Sequence, residues 1–260
     1  MSCSFNLIFG GHPSTIHPIA GPWDSPQVVK RNNFPNVLND INLYYINYFV
    51  EIMNQKNSLG LDKCFLDTND PIELFKTWFN EAKKTEPNDP NAFSLATADS
   101  KGFPSVRIVL LKDYNKNRFI FYSNLNSQKS LSIKENPKGE MCFYWKSLSR
   151  QVRVHGSISQ VSDKEADNYY NTRTYGSRIA AWASKQSEVL QSRQELINSM
   201  DKYKKKYNDE KKIPRPNHWS GWSLLPIEIE FWLRADNRVH ERLKYSKNSK
   251  GEWNKFLLNP

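Results

Sequence analysis

Cysteine is scarce. Cys3, Cys64 and Cys142 stand far apart in 260 residues, with no Cys-x-x-Cys pair and no histidine beside them. That argues against a disulfide framework or a zinc site and fits a reducing compartment. The five histidines (His12, His17, His155, His218 and His240) are too scattered to gather round a metal, so no metal site is expected. Apolar runs are short, and none approaches the ~20 residues that a membrane-spanning helix needs. No lysine or arginine precedes Lys30, so the start lacks the charged end of a secretory signal and the arginines of a mitochondrial presequence. A cytoplasmic protein is expected. Gly-rich nucleotide loops, His-Glu-x-x-His and Gly-x-Ser-x-Gly are missing as well. Any catalysis must therefore lean on a cofactor.

Positive charge is in surplus: 37 Lys and Arg stand against 27 Asp and Glu, a net charge of +10. A basic chain favours anionic partners, whether nucleic acid, membrane surface or phosphorylated small molecules. Part of the surplus sits in one run, Lys202 to Lys212, which reads as a solvated helix end or loop.

Residues 1–66 show no sustained period and read as a poorly ordered N-terminal extension, leaving 67–260 as the folded domain. That domain opens on a helix signal, with Asp70 as cap, Pro71 in the first turn, and Ile72, Phe75, Trp78 and Phe79 at helical spacing up to Lys84. Strand-like runs follow at Phe93–Ala98, Val106–Leu111, Phe119–Ser123, Met141–Trp145 and Arg150–Val161, with a short helix at Ser127–Glu135. Helices are expected at Asp163–Arg173, Ser177–Ala183 and Ser187–Tyr207. Strands return at Leu224–Leu233, Val239–Lys244 and Trp253–Leu258. Many short strands with few early helices predict a mainly β, antiparallel barrel decorated by helices.

Five segments carry possible chemistry. Arg107-Ile108-Val109-Leu110-Leu111-Lys112 is a buried-looking strand with a cation at each end. Arg150 to His155 alternates strictly, placing Gln151, Arg153 and His155 on one face and Val152 and Val154 on the other. Tyr169, Arg173 and Ser177 recur every four residues, so one guanidinium and two hydroxyls could grip a phosphate. Ser184-Lys185-Gln186-Ser187 precedes a long helix, with Ser187 as its expected cap. In Arg238-Val239-His240-Glu241-Arg242 an extended strand would align Arg238, His240 and Arg242 as one cationic stripe, with Val239 and Leu243 on the apolar side. On spacing alone, each segment also has a plain reading as a half-exposed strand, a surface helix or a cap.

In combination and in this order, these segments, with Glu230-Phe231-Trp232, resemble the pyridoxine (pyridoxamine) 5'-phosphate oxidase family from about Asp70 to Pro260. The resemblance implies an FMN-binding split β-barrel and a homodimer with active sites shared between subunits. It places FMN contacts on Arg107, Ile108, Val109, Leu110, Tyr122, Ser123, Lys129, Gln151, Gln186, Ser187, Trp232 and Arg242. Gln128 belongs to the same loop, where the family usually has an arginine. Substrate contacts fall on Lys112, on Tyr169, Arg173 and Ser177 for the phosphate, and on Arg238 and His240 beside the ring. The last two are also the expected catalytic pair. Two departures stand out: the charge missing at Gln128, and a C-terminal Leu257-Leu258-Asn259-Pro260 where an arginine is usual. No Arg-x-x-Tyr segment that could cover the substrate precedes Asp70.

The implied function is oxidation of phosphorylated B6 vitamers (pyridoxamine and pyridoxine 5'-phosphate) to pyridoxal 5'-phosphate. O2 would be the acceptor and H2O2 a product, with NH3 released from the amine. The alternative is a non-catalytic FMN- or pyridoxal-phosphate-binding barrel. Nucleic acid has only the net charge in its favour, and neither it nor a membrane is an expected partner.

Overall fold

A computed structural model describes residues 56–115 and 118–260. The part of the expected extension at 1–55 lies outside the described residues. Residues 56–66 belong to the packed body: Leu61 and Phe65 are buried in the main core, and Trp78 Nε1 donates to the Cys64 carbonyl at 2.8 Å. The body therefore starts before residue 67.

Helix α1 (Pro71–Thr85) begins as its sequence requires. The Asp70 side chain accepts from the Ile72 N–H at 2.9 Å, and Pro71 occupies the first turn. Its apolar face, including Ile72, Phe75, Trp78 and Phe79, is buried. Phe75 sits at the centre, with ring contacts to Phe79, Tyr114, Phe119, Phe143 and Trp145. The helix thus fills the interior of the sheet described next.

Nine strands form that sheet among the described residues: β1 (Ala92–Ala98), β2 (Pro104–Leu110), β3 (Asp113–Asn115), β4 (Arg118–Asn124), β5 (Lys138–Trp145), β6 (Arg150–Gln160), β7 (Trp219–Leu233), β8 (Glu241–Lys247) and β9 (Trp253–Leu257). Helices α2 (Gln128–Glu135), α3 (Asp163–Thr172), α4 (Tyr175–Ala183) and α5 (Arg193–Lys206) decorate it. None of these helices is long and apolar enough to cross a membrane. All pairings are antiparallel, in the order β2-β1-β5-β6-β7-β4-β3, with β8 on β7 and β9 on β8. Strands β2 and β4, near opposite ends of that order, approach each other without pairing. The sheet curls towards a barrel and stays open along this seam, as the expected split barrel requires.

Strand β7 holds the architecture together. It pairs with β6 along one side and, on the other, first with β4 and then with β8. The change of partner falls at a register shift between His155 and Gly156, opposite Pro226. Glycine is required there, because a Cβ on Gly156 would lie 2.0 Å from the Leu225 carbonyl oxygen. The β6 alternation follows its sequence: Val152 and Val154 are fully buried, while Gln151, Arg153 and His155 face away from the core.

Three expectations need correction. Strand β2 is not buried on both faces: at the edge of the sheet, Val106 and Ile108 are 64% and 66% exposed. The stripe through Arg238, His240 and Arg242 does not arise from a strand. Asp236–Arg238 forms a single 3-10 turn, Asn237 and Arg238 have φ of 54° and 63°, and Val239 is 62% exposed. Strand β8 starts only at Glu241. The helix expected from Ser187 starts at Arg193, where the Ser192 side chain accepts from the Glu195 N–H. The Ser-x-x-Glu spacing was the stronger signal.

Replacing Phe75 with alanine is expected to cost about 3–5 kcal/mol of folding stability, because no neighbour can fill the space left among five rings. Denaturant unfolding measures this, and a loss below about 1 kcal/mol would contradict the packing described.

Candidate active site

The expected residues gather in two separate clusters. The first lies at the open seam between β2 and β4. A cavity of about 440 Å³ is lined by Arg107, Ile108 and Val109 from β2, Tyr122 and Ser123 from β4, Gln128 and Lys129 from α2, and Gln186 and Ser187 after α4. All nine belong to the set expected to meet FMN, and Leu110 follows at the end of β2.

Its cations are held by neutral groups. Lys129 Nζ donates to Ser123 Oγ, Ser127 Oγ and Gln186 Oε1 at 3.1, 3.1 and 3.2 Å. Arg107 Nη1 donates to the Leu95 and Ser105 carbonyls and to Thr97 Oγ1, at 3.1, 3.0 and 2.8 Å. Neither forms an ion pair with a carboxylate of the described residues. Burial, aided by Arg107, lowers the Lys129 pKa to about 8, and burial also lowers that of Arg107. Ser187 adopts a left-handed φ of 75°, and its hydroxyl accepts from the first N–H of α2, on Gln128, at 3.2 Å. It therefore serves the start of α2 and not that of α5.

A second cavity of about 310 Å³ adjoins the first, sharing Tyr122, Ser123 and Gln186 and adding Arg173, Ser184 and Trp219. Arg173 lies just past α3, its guanidinium 4.6 Å from the centre of the Trp219 ring. Tyr169 stacks on Tyr122 with ring centres 3.9 Å apart. Nη1 of Arg173 is buried with no hydrogen-bond partner. Arg173 itself lines the cavity and has no carboxylate partner among the described residues, which suits an anionic oxygen there. Burial lowers the pKa of Arg173 and, with help from Glu165, raises that of Tyr122 to about 12, so its hydroxyl keeps its proton.

The remaining phosphate candidates are not all brought to Arg173. Ser177 stands in the first turn of α4, its Oγ accepting from Thr174 Oγ1 at 2.9 Å, so the expected helical trio is split between two helices. Exposed Lys112 lines a different cavity with Phe79, Lys83 and Tyr114.

The second cluster lies across β6, β7 and β8, where Gln151, Trp232 and Arg242 are direct cross-strand partners in one row. The His240 ring is 4.7 Å from that of Trp232, and its Nδ1 accepts from the Ala235 N–H at 3.3 Å. Arg238 is exposed on the turn before it. None of these five residues lines the cavities of the first cluster. Sequence reasoning missed Trp219, the platform under Arg173, because nothing local links residues so far apart. It also missed Thr97, which holds Arg107.

Residues 79–206 match the family described as pyridoxamine 5'-phosphate oxidase, and residues 219–260 match the pyridoxine 5'-phosphate oxidase C-terminal dimerisation region. A pyridoxine/pyridoxamine 5'-phosphate oxidase of Pelagibacter ubique is 63% identical over 208 residues, covering 80% of this chain and all of that one. The chain belongs to the pyridoxine/pyridoxamine 5'-phosphate oxidase family. The protein of that name from Allorhizobium ampelinum is 50% identical over 197 residues, covering 75% of this chain and 95% of its own. Among solved structures, PhzG of Burkholderia lata, in complex with tetrahydrophenazine-1-carboxylic acid, superposes with a TM-score of 0.71. It is 27% identical and covers 76% of this chain and 96% of its own. The two matched regions divide the clusters between them: the seam cavity falls in the first, and the Gln151–Trp232–Arg242 row lies in the dimerisation region except for Gln151.

Because Lys129 loses its proton near pH 8, a phosphate dianion in the seam cavity should bind more weakly as pH rises through that value. Above it, binding must take up a proton, so the Kd for FMN should climb by up to about tenfold per pH unit. Flavin fluorescence titrations at pH 7 and pH 9 measure this, and equal affinities would contradict the assignment of Lys129.

Proposed function

We propose that the protein is an FMN-dependent oxidase converting pyridoxamine 5'-phosphate and pyridoxine 5'-phosphate to pyridoxal 5'-phosphate. O2 is reduced to H2O2, and the amine substrate also gives NH3. The observation that carries this reading is the pair of adjoining cavities whose half-buried cations (Arg107 and Lys129 in one, Arg173 in the other) form no ion pair with a carboxylate among the described residues. Two phosphate esters side by side, one on the cofactor and one on the substrate, suit that arrangement.

The seam cavity fits FMN by its chemistry. Arg107 and Lys129 supply charge for the phosphate, Ser123, Gln186 and Ser187 supply neutral polar contacts, and Ile108, Val109 and Tyr122 supply an apolar flank. Bound there, FMN would supply the two-electron redox chemistry between the substrate and O2. Gln128 brings no charge where the family usually has arginine, which leaves Arg107 and Lys129 to carry the phosphate.

Arg173 holds the substrate phosphate with Tyr169 and Ser177 near it, while Lys112, which lines a separate cavity of the same chain, has its phosphate role from the family resemblance alone. Binding energy gained there is spent on keeping the reacting carbon in place. Arg238 and His240 orient the pyridine ring and assist proton movement at the amine or hydroxyl on the 4'-carbon. Gln151, Trp232 and Arg242 complete the flavin site from the partner of a homodimer. This assignment is supported by the absence of these five residues from the seam cavity and by the dimerisation match over 219–260.

Protein loaded with FMN should release H2O2 on addition of either phosphorylated vitamer, and absence of peroxide with both would refute the oxidase reading. Arg173→Ala should raise KM about tenfold or more with kcat largely kept, while Arg238→Ala should lower kcat as well. Unchanged steady-state kinetics in both would contradict these roles.

Sharing of sites has its own test. Lys129→Ala and Arg242→Ala, each poorly active alone, should regain roughly a quarter of wild-type activity after unfolding and refolding together, since half the dimers carry one intact site. No recovery would place both residues in a site built by one chain.

A further inference from the structure

The outer faces of β6, β7 and β8 carry three consecutive rows: Gln151–Trp232–Arg242, Arg153–Glu230–Lys244 and His155–Glu228–Ser246. Arg242 does not point straight out of its own row. It reaches diagonally to Glu230, whose Oε1 accepts from both Nε and Nη2 at 2.8 Å. Oε2 of the same carboxylate accepts from Arg153 Nη1 at 3.2 Å, and Arg153 is anchored in turn on Glu140. The other edge of the Arg242 guanidinium is fixed by Nη1 donating to the Asn259 carbonyl at 2.9 Å. Glu230 is among the few charged side chains buried in the described structure. A buried carboxylate shared by two arginines is costly to keep unless its geometry is used, because desolvation takes back much of the attraction.

We infer that Glu230 is a positioning residue: it holds the Arg242 guanidinium beside Gln151 and Trp232, so that its remaining N–H groups meet the flavin already oriented. The inference rests on the reading of Arg242 as a flavin contact. An arginine left free would have to surrender its rotamer freedom when the ligand arrives, whereas one already tethered on two sides has lost it in advance. Glu228 is not equivalent, since it is engaged by Lys244 and Ser246 in the next row.

The test is a double-mutant cycle read as the Kd for FMN, using full-length dimer stripped of flavin and titrated by fluorescence. Glu230→Gln keeps the shape and one acceptor but removes the charge, and it should weaken FMN binding about tenfold. Arg242→Ala should weaken it at least as much. In the Arg242→Ala background, Glu230→Gln should then change the affinity by less than about twofold. A purely structural role would not vanish in that background, so a tenfold loss there as well overturns the inference. Arg242→Ala that weakens binding while Glu230→Gln does not also overturns it, yet leaves Arg242 on the flavin. Arg242→Ala with wild-type affinity removes the flavin reading of Arg242 and the inference with it. Should Arg242→Ala fail to yield dimer, Arg242→Lys, which keeps charge but not the planar fork, takes its place with the same outcomes.

Discussion

Half-buried positive charge without a carboxylate partner among the described residues is the constraint on which this structure turns. Arg118, Arg150, Arg215 and Arg242 are each seated on a carboxylate. Arg107, Lys129 and Arg173 are comparably enclosed, yet the described structure gives them only neutral acceptors, an aromatic face or, for Arg173 Nη1, nothing. A charge taken from water without compensation destabilises a fold. Retaining three such charges in adjoining cavities is physically sensible where anionic ligands complete them. The lowered pKa values of all three are the same desolvation expressed as proton affinity.

The barrel exists to place those charges. Because β2 and β4 approach without pairing, the seam exposes backbone and side chains that a closed barrel would consume. Strand β7 reaches the seam with one half and the polar rows with the other, and the bulge at Gly156 lets it change partners between them. One chain therefore carries the two groups of proposed ligand residues at different places on one sheet. A two-fold dimer is the simplest way to make them face each other, and the match of 219–260 to a dimerisation region agrees with that geometry.

Much of this was legible in the residues. Asp70-Pro71 followed by an apolar helical period marked α1, and the alternation from Arg150 to His155 gave β6 with its faces assigned. The seam cavity was legible only through family resemblance, since four separate segments meet there and no spacing rule links Arg107 to Gln186. Where local pattern was trusted alone it misled. Alternation from Arg238 to Arg242 imitates a strand, yet left-handed φ at Asn237 and Arg238 makes a turn. Ser187 imitates a cap for the following helix and instead bonds the first N–H of α2, 59 residues earlier in the chain. The strand Asp113–Asn115 was hidden because turn-forming residues pair with β4. Stacking of Arg173 on Trp219 is tertiary in origin and left no local trace.

Comparing FMN with riboflavin, its counterpart without the phosphate, addresses the unpaired charges most directly. If Arg107 and Lys129 are held open for a phosphate, calorimetric titration of the flavin-free protein should show FMN binding at least about a hundredfold more tightly at pH 7, as two charge-assisted contacts require. Equal affinity for the two flavins would mean that those cations serve something else.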